Sequence, residues 1–173
     1  MNAIAGGLLL TSSRGYLRAA QEGPGADLDA RRRTIALAES CTAGLVASAI
    51  SGVEGLGHVL ECGFAVYTDD AKARLLGVSR DVFEREGAAS EAVARLMAEG
   101  ALERAEGDIA IAITGFASPA GPDDEEGLVH FTLARSGHAT SHRVEHSGPR
   151  GTDAVRLAAL DAVIDLLEHA AEL

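Results

Sequence analysis

At 173 residues the chain is one domain of ordinary size, long enough to bury roughly two-thirds of the surface that its unfolded form exposes. Hydrophobic residues make up 47% but aromatic residues only 3%, so the core must be aliphatic, and a net charge of −11 with few rings for stacking argues against a nucleic-acid binder. Two cysteines, Cys41 and Cys62, suggest neither a disulfide scaffold nor a zinc site and fit a reduced cytoplasm.

The apolar run Ala3 to Leu10 is short and has no positive charge before it, so it reads as neither a signal peptide nor a membrane span. Residues 1–20 suit a short helix, and Gln21 to Ala26 a turn or linker. The compact part begins near Arg32, and Arg31-Arg32-Arg33 reads as a solvated junction rather than a binding stripe. The expected division is therefore an N-terminal helix and linker over residues 1–31 and a folded domain over 32–173.

Thr34 to Ala38 predicts a buried strand, ended by Glu39-Ser40-Cys41-Thr42. Ala43 to Ile50 predicts a helix. Val59 to Tyr67 predicts a second strand. Asp69 to Leu76 is a short helix with acids in its first turn and Gly77 after its end. A longer helix opens at Ser90 and runs to about Ala105. Asp108 to Ile113 predicts another buried strand, broken by Thr114-Gly115 and a loop rich in proline, glycine and acid. Leu128 to Ala134 and Thr140 to Glu145 predict an antiparallel hairpin turning at Arg135 to His138. An amphipathic helix runs from about Thr152 to Glu172. This order implies an α/β fold, a three-layer α/β/α sandwich over a mixed sheet. Sites in such folds lie at the carboxyl ends of the strands, here Glu39 to Thr42, Tyr67 to Lys72 and Thr114 to Gly121.

Three features there can carry chemistry. Ser40 lies between a strand and a helix, where free backbone N–H groups and the helix dipole stabilise an oxyanion; a Ser or Thr at that place also suits an N-cap. Cys41 and Thr42 are rival nucleophiles, with an inert buried thiol the default for Cys41. Lys72 is the only lysine in the chain, every other residue of its kind being arginine. A desolvated lysine can act as a base where arginine cannot. Tyr67, five residues earlier at a strand end, is placed by the sequence to share proton transfer or to orient Lys72. The Thr114 to Gly121 loop offers N–H groups to a phosphate or an oxyanion, while nucleotide-triphosphate and dinucleotide motifs are missing. Arg150 and Arg156 bracket the start of the last helix, a setting that suits a phosphate. His138, His142 and His146 recur every four residues, which on a strand puts them on one solvated side of the sheet; no HExxH supports a metal.

The motifs Glu39-Ser40-Cys41-Thr42-Ala43-Gly44, Tyr67-Thr68-Asp69-Asp70-Ala71-Lys72, Gly87-Ala88-Ala89-Ser90-Glu91 and Thr114-Gly115 together resemble the CinA C-terminal domain family, over about Thr34 to Leu167. The resemblance implies a nicotinamide-nucleotide amidase, which hydrolyses the amide of nicotinamide mononucleotide to nicotinate mononucleotide and ammonia in pyridine-nucleotide recycling. It implies Ser40 as nucleophile and Lys72 as base with Tyr67 assisting, a Ser–Lys variant of nucleophile activation. It implies that Thr42, Gly44, Thr114 and Gly115 line the oxyanion or substrate site and that Arg150 meets the phosphate. No metal or organic cofactor is implied; the partners are a nucleotide substrate and further copies of the chain, with no nucleic acid and no membrane. The larger family proteins carry an additional N-terminal domain, for which the first 33 residues are too few, so the expectation is a stand-alone form.

Two departures stand out. The family turn reads ESCTGG, and Ala43 replaces its first glycine, a change expected to be harmless inside a helix. The family loop resembles TGIAGPGGG, and Ser118, Ala120 and Pro122 stand where it has glycines. The altered loop favours two alternatives to the amidase, a non-catalytic ligand-binding or interaction module of the same fold, or an amidase of altered substrate range.

Overall fold

The computed structural model describes residues 33–53, 57–118, 121 and 124–172. The helix and linker expected before Arg32 lie outside these residues. Five strands form one sheet: β1 (Ile35–Glu39), β2 (Leu60–Ala65), β3 (Ile109–Gly115), β4 (Leu128–Arg135) and β5 (Ser141–His146), in the order β2-β1-β3-β4-β5. β1 runs parallel to both β2 and β3, and β4 and β5 continue the sheet antiparallel, so the sheet is mixed. Among the described residues the helices are α1 (Leu45–Ser51), α2 (Asp69–Leu76), α3 (Arg80–Glu86), α4 (Glu91–Ala105) and α5 (Thr152–Glu172), and a 3-10 turn spans Gly57–Val59.

β1 and β3 are buried on both faces, which is why they read as unbroken apolar runs. Their residues alternate in size. Ile35, Leu37, Ile109, Ile111 and Ile113 point to the layer that holds α1 and α5. Ala36, Ala38, Ala110 and Ala112 point to the layer that holds α2, α3 and α4. The small side chains let α4 lie close against the sheet, and the bulky ones fill the wider gap on the other face. The result is the expected three-layer α/β/α sandwich. Close approach continues between helices: a Cβ on Gly100 of α4 would lie 1.9 Å from the Leu76 carbonyl oxygen at the end of α2.

Several expectations need correction. α3 went unread, because its segment is mostly charged and only Val82 is fully buried. The second strand is shorter than Val59 to Tyr67: Val59 belongs to the 3-10 turn and Tyr67 lies past the strand end. α1 begins at Leu45, so Ala43 is not inside a helix. It adopts φ +52° and Gly44 φ +93°, two consecutive left-handed residues in a tight turn. Ala43 therefore carries a backbone cost that glycine would escape.

The histidine expectation also changes. His146 and His138 are exposed, but His142 is turned toward α4 with its side chain only 12% exposed. It stacks on His130 of β4 instead of facing water.

Candidate active site

The carboxyl ends of β1 and β3 are adjacent, and the chain turns away from the sheet at both. Ser40 still belongs to the ladder through its amide, which donates to the Ile113 carbonyl at 2.9 Å. The turn then closes with the Ala43 amide on the Ser40 carbonyl. The next feature decides what the Ser40 side chain is free to do. Glu39, only 1% exposed, turns its carboxylate under the start of α1 and accepts the amides of Gly44 and Val46 on Oε2 and of Ala47 on Oε1. The N-cap residue is Gly44, with no side-chain cap. Neither the Ser40 nor the Thr42 hydroxyl caps the helix, because the acid beneath it satisfies the donors that a cap would take.

Ser40 lines a cavity of about 350 Å³ together with Tyr67, Lys72, Thr114, Gly115 and Arg156. That size is at the lower end for a small-molecule site. The carboxyl ends of two parallel strands, the N-terminal turn of α2 and the first turns of α5 thus meet at one place. Lys72, 2% exposed, reaches it from α2. Its ammonium donates to Asp69 Oδ1 at 3.1 Å and lies 5.7 Å from the centre of the Phe83 ring. Asp69, one turn earlier on the same helix, fixes its direction. Thr68 caps α2 by accepting the Ala71 amide, which sets the helix that carries the lysine. Tyr67 stands at the rim with 66% of its surface exposed, and no hydrogen bond among the described residues joins it to Lys72.

Thr114 and Gly115 both line the cavity, and both also have work elsewhere. The Thr114 hydroxyl donates to the Ala88 carbonyl at 2.9 Å, which ties β3 to the segment that leads into α4. Gly115 is demanded by β4, since a Cβ there would lie 2.3 Å from the Leu128 carbonyl oxygen. Of the loop that follows, Phe116, Ala117 and Ser118 line the cavity, while Ala120 and Pro122 lie outside the described residues. Ser118 therefore brings a side chain to the wall where the family pattern has a glycine.

Thr42 and Gly44 are not part of the lining. Thr42 is 2% exposed and its hydroxyl has no hydrogen-bond partner among the described residues, while Gly44 supplies the left-handed turn. Arg150 is exposed and lines a separate hollow with Gly151, Thr152, Asp153, Ala154 and Leu157. Of the two arginines it is Arg156 that lines the cavity, and its Nε donates to the Cys41 carbonyl at 2.8 Å. The Cys41 thiol itself is pushed up to about 11, chiefly by burial, so it stays protonated and is no nucleophile near neutrality.

Among the described residues, no group of three or more His, Cys, Asp or Glu side chains is arranged to hold a metal ion, and no helix is long and apolar enough to cross a membrane. The site thus offers a hydroxyl at a strand end, a buried ammonium, a cation at a helix start and backbone amides around a turn. These are the parts that acyl transfer needs.

Comparison with known proteins agrees with this architecture. The family model of the CinA C-terminal domain matches residues 18–171. A CinA-like protein of Geobacter sulfurreducens is 39% identical over 138 residues, which is 79% of this chain and 33% of that protein. A CinA-like protein of Akkermansia muciniphila is 47% identical over 107 residues, covering 61% of this chain and 26% of that one. The chain matches about a third or less of the length of these curated relatives. Among solved structures, the competence/damage inducible protein CihA of Agrobacterium tumefaciens superposes with a TM-score of 0.83 at 32% identity, covering 92% of this chain and 94% of that one. A CinA superfamily protein of Escherichia coli gives 0.75 at 36% identity, covering 84% of each.

Proposed function

The chain belongs to the CinA C-terminal domain family, and from that premise and the geometry of the cavity we propose that it hydrolyses the carboxamide of nicotinamide mononucleotide, with Ser40 as nucleophile and Lys72 as base. The observation that carries the reading is the buried Glu39. By taking over the capping of α1 it leaves the Ser40 hydroxyl to face the cavity that Lys72 enters from the other side.

In this mechanism Lys72 first gives up a proton to solvent, and the Ser40 oxygen then attacks the carboxamide carbon as its own proton passes to the Lys72 Nζ. The tetrahedral oxyanion meets the Cys41 amide, which donates to no backbone carbonyl among the described residues. Lys72 then returns the proton to the amide nitrogen, the carbon–nitrogen bond breaks and ammonia leaves. Water attacks the resulting ester with Lys72 again accepting a proton, and nicotinate mononucleotide is released as Ser40 is regenerated. Asp69 keeps the Lys72 side chain aimed at the cavity. Tyr67, exposed and without a hydrogen bond to Lys72 among the described residues, contributes to the cavity lining. Arg156 lines the cavity and Arg150 does not, which supports Arg156 as the arginine that meets the substrate phosphate.

Ammonia release from nicotinamide mononucleotide tests the reading. The wild type should turn over, and Ser40→Ala should lose about 10⁴-fold or more in kcat. Equal turnover by Ser40→Ala would sink the mechanism. Ser118 in the lining favours a second reading, a related amidase of altered substrate range, which a panel of nucleotide and non-nucleotide amides separates from the first.

A further inference from the structure

Beside the cavity, outside its lining, His130 and His142 form a pair. Their ring centroids are 5.3 Å apart, and His130 Nδ1 lies 3.3 Å from His142 Nε2. His142 Nδ1 is 3.2 Å from the Thr132 hydroxyl, and its Nε2 is 3.9 Å from Glu91 Oε2. These contacts close a circuit with the cavity wall. His130 stands directly opposite Thr114 in the β3–β4 ladder. The Thr114 hydroxyl donates to the Ala88 carbonyl. Ala88 and Ala89 line the cavity and lead through the capping Ser90 into Glu91, which returns to His142.

We propose that His130 and His142 are positioning residues for the wall formed by Thr114, Ala88 and Ala89, and that a second proton on the pair releases this wall. The proposal rests on the reading of the cavity as the active site and adds a proton-dependent control to it.

A neutral pair shares one N–H between its facing nitrogens. One added proton is tolerated, because His142 can then donate to Thr132 as well while Glu91 lies close. A second proton sets N–H against N–H and places two cations in ring contact. The surroundings offset it only in part, through a backbone hydrogen bond at Phe131 that favours a charged His142. Glu91 is already held by Arg95, whose Nε donates to Glu91 Oε1 at 2.9 Å and whose other end reaches Thr140. From β5, His146 adds to the positive field at His130. The positive end of the α4 dipole faces the same place. Burial, first of all, and then charge from His142 push His130 below the usual histidine range. Burial also pushes His142 down, against the pull of Glu91. The neutral pair is therefore the state present near neutrality, and the release belongs to acid pH.

Backbone amide hydrogen exchange over residues 87–94 of the full chain reads the release without any substrate. After correction for intrinsic rates, wild-type protection should fall about tenfold or more between about pH 7.5 and 5.5, while H130Q and H142Q, each with one histidine left, should change by less than about twofold. Unchanged wild-type protection, or the same fall in the H130Q/H142Q double variant, would overturn the proposal. If the variants fail to fold, titration of the wild-type imidazoles by NMR decides. Two separated midpoints below the ordinary histidine value support it, and two independent ordinary midpoints overturn it. With turnover, the acid limb of kcat/KM should move to lower pH in H142Q. Exchange requires no catalysis, so a missing amidase activity and a failed latch give different results.

Discussion

The Val46 amide donates to the Glu39 carboxylate at 3.1 Å, a buried charge-assisted bond between a strand end and the helix after the proposed nucleophile. With the bonds from Gly44 and Ala47 it makes Glu39 the anchor of the whole turn. Glu39→Ala would leave three amides without partners in a buried place. The expected loss is about 3–5 kcal/mol of stability, larger than an ordinary cap deletion. Glu39→Gln keeps the outline but loses the charge and sets an NH2 against at least one of these amides, and should cost about half as much as the alanine change. Urea unfolding midpoints check both, and a loss below about 1 kcal/mol for the alanine variant would show that the carboxylate does not anchor the turn.

Ala43 gives a prediction of opposite sign. At φ +52° its methyl group strains a turn that glycine would adopt freely. Ala43→Gly should therefore stabilise the protein by up to about 1 kcal/mol, although glycine in most places is destabilising. The check is a thermal or urea midpoint that moves upward with an unchanged m-value. A midpoint that moves downward would mean that the Ala43 methyl makes packing contacts worth more than the strain.

These two residues show where sequence reasoning stopped. β1 and β3 were legible because burial on both faces leaves an unbroken apolar run. The joining of Ser40, Lys72 and Thr114 at the carboxyl ends of the central strands follows from parallel-strand topology. Glu39 belongs to a legible motif, yet its capping depends on a left-handed turn that folds α1 back over the strand end. Arg156 and Arg150 were equivalent in sequence. Which one enters the cavity is set by the phase of α5 and by a hydrogen bond to Cys41, 115 positions away. The His130–His142 pair depends on the β4–β5 register, whereas a spacing of four groups His142 with His138 and His146 and passes over His130. α3 had little to reveal, since a short charged helix is held by tertiary contacts more than by its own pattern.

The buried thiol of Cys41 predicts an alkaline weakness. Burial raises it from 9.0 to about 11, so the folded state keeps its proton after the unfolded state has lost its own. The folded state then binds more protons in this window, and stability falls as pH rises. The stabilisation is fully present below pH 9 and is lost toward pH 11, at most about 2–3 kcal/mol in all. Urea midpoints at increasing pH should fall faster for wild type than for Cys41→Ala. Parallel curves for the two would show that the thiol ionises alike in both states.

Arg156 has two roles that a single substitution confuses. Its Nε holds the Cys41 carbonyl, and its guanidinium stands in the cavity wall. If it meets the substrate phosphate, Arg156→Gln should raise KM for nicotinamide mononucleotide by about 10–100-fold, the worth of a charge-assisted bond. The same substitution should change kcat/KM little for nicotinamide riboside, which has no phosphate to lose. The pair of substrates works as a double-mutant cycle between protein and ligand. Arg150→Gln, on a residue outside the cavity, should leave both substrates within about twofold, because an exposed surface charge contributes little. An equal loss on both substrates in Arg156→Gln would instead assign the arginine to the Cys41 turn alone. The phosphate would then have to be met elsewhere, with the start of α5, where Thr152 also lines the cavity, as the next place to test.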